Sequence, residues 1–183
     1  MLEGRPGRGG GGGAPLAIVT KNIGINRFVW DVRHSNGLGA PPASYQARLT
    51  VDGKMLVQPF NVLIDPNLAD EGLTASDLQE QFNHNIRLRE LTTAVGVQVG
   101  RAREMLSIYK SDPVKLKQVE TVVEKLVTPQ TPRYSKPGLQ SHITYLAGMT
   151  NAADQKVGRD ALERYAVLKK ELEAIIAELD KIK

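Results

Sequence analysis

The chain has 183 residues, with 24 Lys and Arg against 20 Asp and Glu, a net charge of +4 and no cysteine. A chain of this length buries roughly 70% of its unfolded surface when compact, so its stability requires neither a metal nor a disulfide. The missing thiols exclude cysteine nucleophiles and thiolate metal sites, and leave the compartment open.

The two signs of charge interleave. Residues 1–73 hold 7 basic and 6 acidic side chains, and residues 74–183 hold 17 and 14. A nucleic-acid binder concentrates its excess charge on one surface, so nucleic acid is not an expected partner. No apolar run reaches spanning length, so membrane insertion is not expected. The opening residues lack the apolar stretch of a signal peptide.

Residues 1–14 contain seven glycines. Such a tract buries too little surface to offset its ordering entropy and is expected to be a flexible segment, with Arg5 and Arg8 too sparse to make an RNA-binding tract. A β unit is expected over 15–66. Asn26 to Val32 alternates, with Phe28, Trp30 and Val32 on one side, and predicts a strand. Tyr45, Ala47, Leu49 and Val51 alternate with Gln46, Arg48 and Thr50 to predict a second. Asp52-Gly53 is a tight-turn pair, and Lys54 to Ile64 returns as the partner strand. Pro59 cannot donate to a ladder, which places that strand at an edge or at a bulge. Three such strands form half of an antiparallel sandwich, with one face uncovered.

Residues 67–183 predict an antiparallel helical bundle, with long helices near 75–110 and 155–182. Thr74 is a good N-cap with Asp77 three residues later. Leu78, Phe82, Ile86, Leu91, Val95, Val99, Ala102 and Leu106 form its apolar stripe; Gly96 and Gly100 either weaken the helix by about 1 kcal/mol each relative to Ala or suit the close approach of another helix. Ser111 is expected to cap the next helix ahead of Asp112-Pro113. Leu116, Val119, Val123 and Leu126 form its stripe. Three prolines in 128–137 mark a crossing loop. Leu139, Ile143 and Leu146 predict a short helix ending before Gly148. Leu162, Tyr165, Leu168, Leu172, Ile175, Ile176 and Leu179 mark the buried side of the last helix, and the two long helices are expected to be antiparallel partners.

No set of residues carries chemistry at a recognised spacing, so no catalytic, cofactor-binding or metal residue is expected. His34, His84 and His142 lie far apart. Asp31 is expected to pair with Arg27, Arg33 or Arg48, and Asp65 to accept local backbone hydrogen bonds. The glycine tract lacks a phosphate-binding lysine, and no serine stands in a nucleophile elbow. The candidate interaction residues are aromatic: Phe28, Trp30 and Phe60 on the β unit, and Tyr134 and Tyr145 at a surface groove.

Five segments resemble one family in order. They are G-I-N-R-F-V-W-D-V-R-H (24–34), Y-Q-A-R-L-T-V-D-G (45–53), Q-P-F-N-V-L-I-D-P (58–66), R-Y-S-K-P-G-L-Q-S-H-I-T-Y-L-A-G-M-T (133–150) and D-Q-K-V-G-R-D-A-L-E-R-Y (154–165). They resemble the C-terminal region of bacterial BNR/Asp-box repeat, sortilin-like proteins, which are labelled glycosyl hydrolases or exo-sialidase-like. The resemblance implies an α+β chain, a partial Ig-like antiparallel β-sandwich followed by the helical bundle. It implies a non-catalytic accessory module, a fragment of a secreted protein whose upstream β-propeller domains hold any active site. The propellers, or a protein partner covering the sheet, are the implied partners, and the parent protein is implied to be extracellular or periplasmic. The alternatives are a protein–protein binding module and a non-catalytic part of a sialidase-like hydrolase.

Overall fold

A computed structural model describes residue 20 and residues 22–131 and 134–182. The expectation for the glycine-rich tract 1–14 lies outside them. The chain divides into two units, at Ala40 and Pro41.

In the first unit the strand expected at Asn26 to Val32 is absent; among the described residues a single isolated bridge joins Arg33 to Gly39. Local hydrogen bonds replace the ladder. The Trp30 indole N–H donates to the Arg33 carbonyl at 2.7 Å, and the Asp31 carboxylate accepts from the Arg33 backbone N–H at 3.2 Å. Val32 has φ 57°, which turns the chain out of the extended region. Alternation offered a strand, but a strand needs a neighbour, and these side chains close a turn instead. Asp31 is therefore a turn acceptor, in place of the arginine pairing expected for it.

The second unit begins with a hairpin of β1 (Ala43–Val51) and β2 (Lys54–Val62), the two strands of an antiparallel sheet. Asp52 and Gly53 join them with φ 48° and 77°, the positive pair that matches strand twist in a two-residue turn. The register runs without a bulge from Val51 opposite Lys54 to Ala43 opposite Val62. The architecture is thus α+β, with a two-stranded antiparallel sheet and a bundle of several helices.

The Asp65 carboxylate accepts from the Asn67 N–H at 2.9 Å and opens the short α1 (Pro66–Asp70), as expected for a local acceptor. Then α2 (Ala75–Ile108) runs for 34 residues, about 50 Å at the helical rise. Its capping box is complete: Thr74 Oγ1 accepts from the Asp77 N–H, and the Asp77 carboxylate accepts from the Thr74 N–H. Next come α3 (Pro113–Leu126), α4 (Leu139–Thr150) and α5 (Arg159–Lys181). The cap of α3 is Asp112 rather than Ser111; its carboxylate reaches the N–H groups of Val114 and Lys115, both at 3.1 Å. The α4 helix continues through Gly148 to Thr150.

The long helices are not antiparallel. His84 meets Tyr165, Arg101 pairs with Asp180 at 2.7 Å, and Tyr109 lies against Ile182. Contacts that advance together along both helices mean that α2 and α5 run in the same direction. The returning arm is α3 followed by α4. Tyr109 receives Lys115 at the start of α3, and Thr150 at the end of α4 meets Gln81 and Asn85 near the start of α2. Between them the end of α3 abuts the start of α4, where the Gly138 N–H donates to Thr128 Oγ1 at 2.9 Å. The bundle is up-down-up, with its middle arm broken in two. Leu88, Val95, Val119, Leu126, Ile143, Leu168 and Leu179 fill its core and are fully buried.

Glycine permits the close junction at the break. A Cβ on Gly138 would lie 2.6–2.8 Å from backbone atoms of Val127 and Thr128, so only glycine lets the two half-arms meet this closely. Gly96 and Gly100, the glycines suited by spacing to a close helix approach, are exposed with nothing near them.

Candidate functional site

The two-residue turn fixes the hairpin register, and the register decides which side chains share a face. One face carries the pairs Tyr45–Phe60, Ala47–Gln58, Leu49–Leu56 and Val51–Lys54; the other carries Ser44–Asn61, Gln46–Pro59, Arg48–Val57 and Thr50–Met55. The first face is apolar along β1, whereas on β2 Phe60 and Leu56 alternate with the polar Gln58 and Lys54. Tyr45 and Phe60 stack with ring centroids 5.9 Å apart, and the Tyr45 hydroxyl donates to the Pro41 carbonyl at 2.7 Å. Burial of that hydroxyl holds its pKa above the ordinary tyrosine value. Beyond this aromatic pair the face is open: Leu49 is 49% exposed, Val51 53% and Leu56 69%. Tyr45 and Val62 are half-buried, and every other strand residue is exposed.

The residues singled out from sequence belong to different elements of the chain. Phe28 (exposed) and Trp30 (half-buried) belong to the first unit. Phe60 is on β2, Tyr134 is in the loop before α4, and Tyr145 is on the exposed side of α4. Tyr145 lines a groove of about 460 Å³ between α4 and the start of α5, together with His142, Met149, Lys156, Asp160 and Arg164. The groove mixes aromatic, basic and acidic groups. Among the described residues no hydrogen bond joins its histidine to its carboxylate.

A polar cluster that sequence reading missed lies at the first turns of α2. Gln81 Nε2 donates to the carbonyls of Thr150 and Ala153, both at 2.7 Å, and Thr150 Oγ1 donates to Asn85 Oδ1 at 2.7 Å. Gln81, His84 and Asn85 are buried where the apolar stripe called for Phe82 and Ile86, which are half-buried. The amides satisfy carbonyls freed at the end of α4, a duty visible only once α4 is docked. His84 is fully buried with neither ring nitrogen hydrogen-bonded. Burial first, and the Arg87 charge second, hold its pKa below the ordinary histidine value. Nearby, Asp77 carries a lowered pKa, chiefly from the Thr74 hydroxyl and backbone N–H, and pairs with Lys156 at 3.4 Å.

Among the described residues no group of three His, Asp or Glu side chains is placed to hold a metal ion, and no helix is long and apolar enough to cross a membrane. No family model, curated protein or solved structure matches the chain.

Proposed function

We propose that this chain is a non-catalytic, protein-binding module whose docking surface is the apolar face of the β1–β2 hairpin. The carrying observation is that Leu49, Val51 and Leu56 stand about half or more exposed together on one face of a two-stranded sheet. A lone hairpin is marginally stable in water, and an exposed apolar cluster on it favours an occupant that covers it. The fitting occupant is a β-rich surface, which supplies the opposite layer of a sandwich. Together with the resemblance of five segments to the tail of Asp-box repeat proteins, this supports an accessory C-terminal module of a secreted β-propeller protein. The hairpin then supplies part of an Ig-like sandwich, and the setting is extracellular or periplasmic.

The test uses the reading frame that precedes Met1 in the genome, produced as a separate polypeptide and titrated with the chain by calorimetry. Binding is expected, and Leu56→Thr should weaken it by about tenfold with the melting temperature unchanged. A preceding frame without β-propeller repeats overturns the accessory reading. Affinity indifferent to Leu56→Thr overturns the hairpin face as the docking surface.

A further inference from the structure

The two outer edges of the hairpin differ. Val51 and Lys54 flank a two-residue turn and so form a hydrogen-bonded pair; bonded and non-bonded pairs then alternate along the ladder. The odd-numbered residues of β1 therefore bond to β2, while Ser44, Gln46, Arg48 and Thr50 turn their N–H and C=O groups outward. On β2 the outward row is Met55, Val57, Pro59 and Asn61. Pro59 has no N–H, so that edge lacks a donor near its middle and resists strand addition. The β1 edge has no such device. It is nine residues long, unbulged and charged only at Arg48. Among the described residues no third strand lies on it.

We propose that β1 pairs with β1 of a second copy of this chain, antiparallel about Ala47, so that two hairpins join into one four-stranded sheet. The sequence of β1, A-S-Y-Q-A-R-L-T-V, has the same apolar–polar pattern read in either direction, as a two-fold interface requires. Centred on Ala47, all nine residues pair. Tyr45 faces the partner's Leu49 and Ala43 the partner's Val51 on the apolar face; Gln46 faces the partner's Arg48 and Ser44 the partner's Thr50 on the other. Sliding two residues one way sets Arg48 against its own copy, a like-charge pair that destabilises the ladder. Sliding the other way leaves Thr50 and Val51 outside β1–β1 pairing. The centred register is therefore favoured by both charge and length. It uses the edge and leaves the apolar face open, doubled in width, so it goes beyond the docking reading and stands or falls separately from it.

The chain has no cysteine, so a single introduced thiol reports alone. Ala47 and its copy form a non-bonded pair with Cα atoms about 4.5 Å apart, within disulfide reach. Ala47→Cys under oxidised glutathione should give a covalent dimer at least about tenfold more abundant than Thr93→Cys, an exposed control on α2. Sedimentation equilibrium of the natural chain should show a dimer below about 0.1 mM, and Gln46→Pro should weaken it by about tenfold, because that N–H faces away from β2. A natural chain that stays monomeric overturns the proposal, as does an Ala47→Cys chain that cross-links no better than the control. If Gln46→Pro loses its fold by circular dichroism, sedimentation of the natural chain and the Ala47→Cys cross-link decide. A monomeric chain that still binds its partner through Leu56 removes the dimer and keeps the docking reading.

Discussion

The bundle and the hairpin place their apolar side chains in opposite situations. In the bundle, Leu88, Val119, Ile143 and Leu168 are fully buried at the meeting of three arms. In the hairpin, Leu49, Val51 and Leu56 align just as regularly and remain in water. Both regions obey their own period, 3.6 in the helices and 2 in the strands, so regular patterning alone does not make a core. A core needs a second layer, and α2 finds one in α3, α4 and α5. The hairpin rests on its turn, its ladder and its cross-strand pairs, interactions worth only about 0.2–1 kcal/mol each.

The sharpest way to break this contrast is to shorten one leucine in each region. Leu88→Ala should cost about 2–5 kcal/mol of stability in urea unfolding, because it leaves a cavity. Leu56→Thr should shift it by less than about 0.5 kcal/mol. Equal losses would mean that the hairpin face is already covered.

A second comparison sets two bundle glycines against each other. Gly138→Ala forces a Cβ onto the Val127 and Thr128 backbone and should cost about 1–3 kcal/mol. Gly96→Ala, in an exposed helix turn with open space around it, should gain up to about 1 kcal/mol. Thermal melts of the two variants should move in opposite directions.

The smallest effect is pH dependence confined to the bundle. With the native pKa of His84 held below its unfolded value of about 6.5, unfolding takes up a proton between the two. Bundle stability should be full above that range and fall as pH drops through it. Asp77, with its lowered pKa, contributes in a separate window and loses its contribution only as pH falls below the ordinary carboxylate range. Helix melts between pH 8 and 5 should show the first loss, and His84→Leu should flatten it.

Features written in adjacent residues were legible in the sequence. Asp52-Gly53 set the hairpin, Thr74 with Asp77 set the start of α2, and Asp65 is the local acceptor that opens α1. Pro59 was legible as an edge residue, and the register shows that no bulge accompanies it. Features that depend on a distant partner were not. Residues 26–32 alternate like a strand but close on themselves through Trp30 and Asp31. The prolines of 128–137 read as a crossing loop, which hid the fact that α3 and α4 are one interrupted arm and reversed the expected direction of α5. Gln81 and Asn85 lie outside the apolar stripe read from the sequence, because their task, receiving the end of α4, lies some 65–70 positions along the chain. For the candidate site, the apolar row of β1 and the aromatic Phe60 were visible at once. The difference between its two edges required the register.

The shared direction of α2 and α5 has a practical consequence for immobilisation. The hairpin leads into the Thr74 end of α2, while Ile182 lies beside Tyr109 at the other end. An anchor fused after α5 would hold the molecule by the end of α2 opposite the hairpin's entry, about 50 Å away along that helix. A sensor surface loaded this way would present the entry end to the flowing analyte, whereas an anchor placed in the Asp52-Gly53 turn would bring the hairpin against the matrix.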